Sequence, residues 1–429
     1  MRSRSGLAGL VIVALMAAAG CTSSKGGDST TASPTTGGHV HATDAPTTTL
    51  PVSASPEQRP LLFDQLLGQY AFLAVRQMRS MVLPVAAARQ VAGASLQRNT
   101  DALSQAVSSA YGGPEGSRFR DVWRRQTVDL SSYAQSVARQ DPPARDRARS
   151  SLLADADAYG DWLAAASKGR VQAHPAAATL EAHVRDLMRQ LDAYAARDYG
   201  RSYELERLAY ERMFSSGVTI AKGSVAPKAA AGYDAPTEKL RAAFAMLLGE
   251  HLEMIIEAQR ATFAGAREFK AAGAQVDANT AALAQGMAGI VGPGQAGEFK
   301  SAWADHVDGL MAYTAAVASG DDAAKAKAVE KLNELAVNLA VYFSHIVKDQ
   351  KVVVPLTGAI TQHDTHLSAQ VDAYAAKDYA KASEMETSAY QQMIGVSNTL
   401  VDAVQASVKA GMPVGGSQTG GGGTAHDRR

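Results

Sequence analysis

The chain has 429 residues, of which 42 are Lys or Arg and 42 are Asp or Glu, so its formal net charge is zero. No block of basic residues stands out, which argues against nucleic acid or an anionic membrane surface as a partner. The chain has a single cysteine, which excludes an intramolecular disulfide, so helix packing alone has to stabilise the folded part.

The first 20 residues have the pattern of an export signal. Arg2 and Arg4 precede an apolar run, and the small residues Ala18-Ala19-Gly20 follow it. The run is too short for a membrane-spanning helix, which needs about 20 apolar residues. We therefore predict that residues 1–20 are a signal peptide.

Cys21 follows this signal directly. The tetrapeptide Ala-Ala-Gly-Cys resembles the lipobox of bacterial lipoproteins, although Ala18 stands where leucine is commoner. The resemblance implies cleavage before Cys21 and attachment of lipid to its sulfur. Acyl chains such as palmitate would then anchor the protein to the extracytoplasmic face of the cell membrane. An ordinary secretory signal with an incidental cysteine is the alternative.

Two segments have the composition of disordered chain. Residues 21–60 are rich in Ser, Thr, Gly and Pro and lack apolar periodicity, which predicts a tether between the lipid and the folded part. Residues 411–429 include four consecutive glycines and predict a second disordered tail.

The body contains an internal duplication with an offset of 180 residues. The phrase Asp192-Ala-Tyr-Ala-Ala-Arg-Asp-Tyr199 recurs as Asp372-Ala-Tyr-Ala-Ala-Lys-Asp-Tyr379. We predict that it ends one helix and caps the next through its second aspartate. The same offset relates further pairs: Trp123 and Trp303, Tyr133 and Tyr313, Met213 and Met393.

Abundant alanine, few aromatic residues and long stretches without proline predict an all-α fold. We predict two tandem up-and-down helical bundles, residues 61–223 and 237–410, joined by a linker at 224–236. Each is expected to contain four long helices and one or two shorter ones.

Five apolar stripes with the spacing i, i+3, i+4, i+7 mark the predicted helices of the second bundle. The stripes run from Leu240 to Thr262, from Phe299 to Val317, from Leu332 to Ile346, from Leu356 to Tyr374 and from Met385 to Leu400. Asp277 and Asp321 are predicted helix starts, and Gly320 is a predicted helix end.

Three histidines lie on three of these stripes, each near the middle of its helix: His251, His306 and His363. Because helix midpoints lie at one level in an up-and-down bundle, the three imidazoles are expected to converge. Met393 lies near the middle of the fifth stripe and can reach the same layer. Three imidazoles with a thioether favour copper, whereas three imidazoles with a water molecule favour zinc.

The first bundle offers Tyr70, Gln126, His183 and Met213 at the matching positions. This set contains one imidazole and would hold a transition metal poorly, so a metal site would belong to the second bundle alone. The leading prediction is therefore a membrane-anchored binding protein with a transition-metal site made by His251, His306, His363 and Met393.

Two other interpretations remain open. A histidine on an apolar face is often a hydrogen-bonded core residue, and a methionine there usually packs. The protein would then be a metal-free interaction or envelope-scaffold module with an unknown protein partner. An enzyme is the weakest interpretation, because no general base is visible beside a three-histidine zinc site. The motifs Glu-x-x-His and His-Glu-x-x-His are absent from the sequence, which argues against a di-iron centre and a zincin protease.

The body is also loosely similar to a group of exported bacterial helical proteins. The similarity depends on the spacing of His306 after Trp303 and of His363 before Asp378-Tyr379. It implies a helical fold and no particular activity.

Overall fold

A computed structural model of the protein describes residues 52–409, and every regular element within this range is a helix. The predicted all-α fold is therefore confirmed. The predicted signal peptide, Cys21, most of the predicted tether and the predicted tail at 411–429 lie outside the described residues. No helix in the described range is long and apolar enough to cross a membrane.

The body has two halves with the same order of long helices. The first half contains α1 (Arg59–Val82), α2 (Ala86–Tyr111), α3 (Gly113–Arg139), α4 (Pro142–Ala166), α5 (Ala173–Ala195), α6 (Tyr199–Phe214) and the short α7 (Gly217–Gly223). The predicted linker at 224–236 holds the short α8 (Pro227–Ala230) and a 3-10 turn, Ala231–Asp234. The second half contains α9 (Pro236–Ala264), α10 (Ala266–Val291), α11 (Pro293–Ser319), α12 (Asp322–Val347), α13 (Val353–Ala375) and α14 (Tyr379–Lys409).

The helix α10 is an element that the sequence analysis missed. Its apolar stripe is interrupted by Asn279, which is buried and donates a hydrogen bond to the backbone carbonyl of Leu247 at 3.0 Å. The prediction that Asp277 starts a helix is wrong, because this residue lies inside α10. Each half therefore has six principal helices. In the second half, the five apolar stripes located five of the six.

Aspartate caps fix several helix ends where the sequence predicted them. Asp321 caps α12, Asp198 caps α6 and Asp378 caps α14, each by accepting a hydrogen bond of 2.9–3.2 Å from a backbone amide in the first turn. Gly320 ends α11 with a left-handed backbone (φ 69°), a conformation that glycine adopts without steric cost. The repeated phrase thus ends one helix and caps the next in both halves.

The first aspartate of the repeated phrase also has the same partners in both halves. Asp192 accepts a hydrogen bond from the Tyr133 hydroxyl at 3.0 Å, and Asp372 accepts one from Tyr313 at 3.0 Å. A basic side chain completes each group, Arg145 in the first half and Lys325 in the second. These contacts explain why the tyrosine and the aspartate recur together.

The two halves meet through their first helices, α1 and α9. On either side of this pair, α6 packs against α10 and α2 packs against α14. Because α1 and α2 correspond to α9 and α10, and α6 corresponds to α14, exchanging the two halves reproduces the same set of contacts. The packing is compatible with the predicted duplication.

Close approach between the halves depends on two glycines. The hydroxyl oxygens of Tyr210 and Tyr390 lie 3.4 Å apart. A Cβ atom on Gly68 of α1 would lie 2.8 Å from Tyr210, Phe214 and Tyr390, and one on Gly249 of α9 would lie 2.5 Å from Tyr210. Only a residue without a side chain fits at these positions.

A group of buried charges, the central ion cluster, joins the halves. It consists of Arg76, Arg79, Glu206, Glu253, Glu257, Arg260 and Glu386. Arg79 contacts Glu206 at 2.8 Å and Glu257 at 3.1 Å, whereas Arg260 contacts a single carboxylate, Glu386, at 2.8 Å. Arg76 pairs with Glu253, Glu257 and Glu386, so each half supplies charge to the other.

Replacing Gly68 with alanine should destabilise the protein by about 1–3 kcal/mol, because the new methyl group has no space between three buried aromatic rings. The control is Gly273→Ala in α10, where a Cβ meets nothing within 4 Å. That change should stabilise the protein by up to about 1 kcal/mol through helix propensity. Chemical denaturation of both variants measures the difference, and equal stability of the two would contradict the packing described here.

Candidate metal centre

The structure brings His251, His306 and His363 together in the core of the second half. They lie near the midpoints of α9, α11 and α13, and all three are buried. One nitrogen from each imidazole lies within 4.8 Å of the others, and the ring centroids are 6.0–6.3 Å apart. The convergence that the helix midpoints predicted is therefore present.

Trp303 holds one side of this group. Its indole N–H donates a hydrogen bond to Nδ1 of His251 at 3.3 Å, and the two rings are 4.8 Å apart. Because the indole nitrogen can only donate, Nδ1 of His251 is the acceptor and the proton of the neutral imidazole is on Nε2. Metal binding by His251 therefore has to release either this hydrogen bond or the Nε2 proton.

Asp364 is a member of the site that the sequence analysis missed. Its carboxyl group is buried, and Oδ1 lies 3.6 Å from Nε2 of His306. A carboxylate behind a histidine is the usual second partner of a metal-binding imidazole, since it fixes the ring and leaves the other nitrogen for the metal. The sequence signal was an aspartate next to His363 where the first half has Val184.

Most polar atoms of this group have no hydrogen-bond partner among the described residues. The unpaired atoms are Nε2 of His251, Nδ1 of His306, both ring nitrogens of His363 and both carboxyl oxygens of Asp364. An unpaired buried polar atom costs about 1–3 kcal/mol, and native proteins contain few of them. The matching layer of the first half also has unpaired atoms, on Tyr70, Trp123, Gln126 and His183. What distinguishes the second half is therefore that its unpaired atoms are the nitrogens of three imidazoles.

The three imidazoles are neutral at physiological pH. Burial lowers the pKa of His251 to about 3 and that of His306 to about 4. Burial, with the neighbouring imidazoles, lowers the pKa of His363 well below its usual range. Since metal ligands have to be deprotonated, these histidines are ready to bind without losing a proton from an imidazolium.

Met393 lines the same small cavity as His306 and His363. The cavity has a volume of about 30 Å³, close to the share of one water molecule in the liquid. Its other walls are apolar side chains and Trp303. His366 lies outside the group, since its Nδ1 is hydrogen-bonded to Oε1 of Gln392 at 3.0 Å.

Small movements would bring the three nitrogens to metal-binding distance. Bonds of about 2.0–2.1 Å in a tetrahedral site place two nitrogen ligands about 3.3 Å apart. The separations of up to 4.8 Å in the structure therefore have to shorten by about 1.5 Å, which rotation of the imidazoles can provide. The donor set fits a transition metal.

The first half has the same arrangement of helices at this position, with different side chains. Tyr70 takes the place of His251, with its ring 4.8 Å from that of Trp123 and 6.2 Å from that of His183. Gln126 takes the place of His306 and is fully buried. His183, the one imidazole here, is hydrogen-bonded through Nδ1 to the carbonyl oxygen of Ala209 at 3.0 Å. The first half is thus an internal control without the ligand set.

Comparison of the chain with protein-family models, with curated proteins and with solved structures found no match. A function for this protein therefore has to be inferred from the geometry of the site itself.

His183 makes the acid sensitivity of the metal-free fold testable. Burial lowers its pKa from 6.5 to about 3 in the folded protein, so below pH 6.5 the unfolded chain binds a proton that the folded chain does not. Its contribution to stability is complete above pH 6.5 and falls by about 2 kcal/mol between pH 6.5 and pH 5.

Denaturation with a chelator present, at pH 7 and pH 5, measures this loss. His183→Gln should lose about 2 kcal/mol less than the wild type between the two values. His345→Gln, at an exposed position, is the control and should behave as the wild type. An unchanged pH dependence in His183→Gln would show that this imidazole is charged in the folded state.

Proposed function

We propose that this protein is a membrane-anchored lipoprotein that binds a transition metal, preferably copper, in its second half. The observation that supports the proposal best is a set of three buried imidazoles with unpaired nitrogens that face one another beside a buried carboxyl group. His251, His306 and His363 would be the ligands. Asp364 would orient His306, and Met393 is the candidate fourth ligand.

Copper is preferred because of the surroundings of the three imidazoles. The cavity beside His306 and His363 is otherwise lined by apolar side chains and Trp303, and the methionine on its wall offers a soft thioether. A cavity of about 30 Å³ holds about one water molecule, so it leaves no space for a substrate beside a zinc-bound water. Binding is therefore a better description of this site than hydrolysis.

The lipoprotein part of the proposal depends on the signal pattern and on Cys21, outside the described residues. Its support is the agreement of three features: a short apolar run after two arginines, small residues at the end of that run, and a single cysteine directly behind them. The acyl chains would hold the protein at the membrane, and the helical body would present the metal site outside the cytoplasm.

Replacing His306 with the glutamine that the first half has at this position should weaken metal binding by more than about 100-fold, because a ligand is lost rather than an outer partner. Asp364→Asn should weaken it by about 10–100-fold, as removal of such a partner does. Elemental analysis of protein purified without a His tag, followed by competition titrations with Cu(I), Cu(II) and Zn(II), measures these affinities.

His366→Gln is the matched control, since this histidine lies on α13 one turn from His363 but outside the group. It should keep the wild-type affinity. Met393→Leu should weaken Cu(I) more than Zn(II), because only the softer ion gains from the thioether. Unchanged affinity in His306→Gln, or a wild-type protein that holds no metal, would favour the metal-free interaction module.

Replacing Cys21 with alanine should move the protein from the detergent phase to the aqueous phase after extraction of expressing bacteria with Triton X-114. Incorporation of labelled palmitate should be lost as well, because the sulfur that carries the lipid is gone. The His306→Gln variant is the control and should remain in the detergent phase. Equal partitioning of Cys21→Ala and the wild type would show that another segment holds the protein at the membrane.

A further inference from the structure

A cavity of about 370 Å³ lies between the two halves, far larger than the cavity beside the histidines. Its volume is in the range of small-molecule sites in proteins. Tyrosines of both copies of the repeated phrase line it: Tyr194, Tyr199, Tyr374 and Tyr379. The charged residues that line it are three arginines and three glutamates: Arg76, Arg79, Arg260, Glu257, Glu268 and Glu386. Alanine, valine and leucine side chains from α1, α2 and α9 complete the wall.

Six side chains of the protein contact Arg79. Its guanidinium contacts the carboxylates of Glu206 and Glu257. It also makes cation–π contacts, with its Cζ 4.8 Å from the ring centroid of Tyr194 and 4.5 Å from that of Tyr203. It also donates hydrogen bonds to the Ser202 hydroxyl and to the Gln190 side chain. Each nitrogen of this guanidinium therefore has a hydrogen-bond partner in the protein.

Arg260 stands at the matching position of the second half with fewer partners. Glu386, Gln370 and the ring of Tyr374 repeat three of the partners of Arg79. The remaining three are absent, because Ala382 and Ser383 stand where the first half has Ser202 and Tyr203, and Arg76 stands where the second half has Glu257. Arg260 thus lacks one carboxylate, one hydroxyl and one aromatic ring.

The charge around Arg260 agrees with this difference. Glu386, its one carboxylate partner, is shared with Arg76. Burial and the neighbouring Arg76 lower the pKa of Arg260 to about 10, whereas the carboxylates beside Arg79 raise the pKa of that guanidinium. Two of the three guanidinium nitrogens of Arg260 donate hydrogen bonds, to Gln370 and Glu386, so the third can donate to an anion in the cavity.

We propose that this cavity binds a small organic acid with a planar apolar body and one carboxylate. The carboxylate would pair with Arg260, as Glu257 pairs with Arg79. The planar body would take the place of the Tyr203 ring, in the space that Ser383 leaves free. Ala382, Ser383, Arg260 and Tyr374 all line the cavity, so these groups face one volume.

Cationic ligands fit this cavity less well. Arg79 and Arg260 already cover one face each of Tyr194, Tyr203 and Tyr374, so a ligand cation would compete with an arginine at these three rings. The carboxylate of Glu268 is also engaged, since it accepts hydrogen bonds from the hydroxyls of Tyr194 and Tyr203.

Calorimetric titration of the full chain with benzoate tests the proposal. Benzamide, which has the same planar body without the charge, and acetate, which has the charge without the body, are the comparison ligands. Benzoate should bind saturably, and each comparison ligand should bind at least about tenfold more weakly, since a charged hydrogen-bonded pair contributes about 1.5–3 kcal/mol.

Two variants test whether benzoate binds in this cavity. Ser383→Tyr introduces the ring that the first half has and should abolish benzoate binding without removing a charge, and Arg260→Gln should weaken it at least about tenfold. Ser132→Tyr on the exposed face of α3 is the matched control and should bind as the wild type. Thermal denaturation checks that each variant is folded.

Undiminished benzoate binding by folded Ser383→Tyr would overturn the proposal, as would equal affinity for benzamide or no binding of benzoate. The metal site does not enter this test. The His306→Gln variant should bind benzoate normally, so failure here and failure of the proposed metal site can be told apart.

Discussion

Pairing of three arginines between the halves is the constraint on which the rest of the structure depends. Where α1 and α9 meet, Arg79 is buried, and the side chains of Arg76 and Arg260 are 10% and 16% exposed. A buried charge that loses its partner costs about 3–5 kcal/mol. Carboxylates from both halves are therefore needed in fixed positions, which ties the two halves into one unit. Four glutamates face these three cations, and burial raises the pKa of Glu206. The central ion cluster also positions the tyrosines that line the large cavity.

The two halves share an arrangement of helices, and the candidate sites lie where the second half has different side chains from the first. The ring of Tyr70 is 4.8 Å from that of Trp123, and the ring of His251 is 4.8 Å from that of Trp303. In this arrangement the second half places imidazoles where the first half has a phenol and an amide. Around Arg260, the loss of a ring and a carboxylate leaves the cavity partly unfilled. Both candidate sites therefore lie at positions where the two halves have the same helix arrangement but different side chains.

The features that could be predicted from the sequence are those that depend on the spacing of residues along one helix. The apolar stripes located five of the six helices in the second half, and the helix midpoints brought the three histidines to one level. The sequence did not predict α10, whose stripe is broken by Asn279, because the burial of that amide depends on the carbonyl of Leu247 in another helix. Glu206 and Glu386 occupy matching positions of the two halves, and both are buried in the central ion cluster, where they pair with arginines of other helices. Asp364 was missed for the same reason: a charged residue on a helix is normally exposed, and its burial depends on partners distant in the sequence.

Charge balance further narrows the metal that the candidate centre would prefer. In the metal-free protein, burial raises the pKa of Asp364 well above its usual range, and its oxygens have no hydrogen-bond donor among the described residues. The metal-free group, with neutral imidazoles and a protonated Asp364, therefore carries no net charge. A bound cation would gain a counter-charge only if it displaced the proton of Asp364. Cu(I) beside the ionised carboxyl group would be neutral in an apolar cavity, whereas a divalent ion would leave one positive charge without a partner. Once this proton is lost, the buried carboxylate favours Cu(I) over Zn(II) independently of the thioether of Met393.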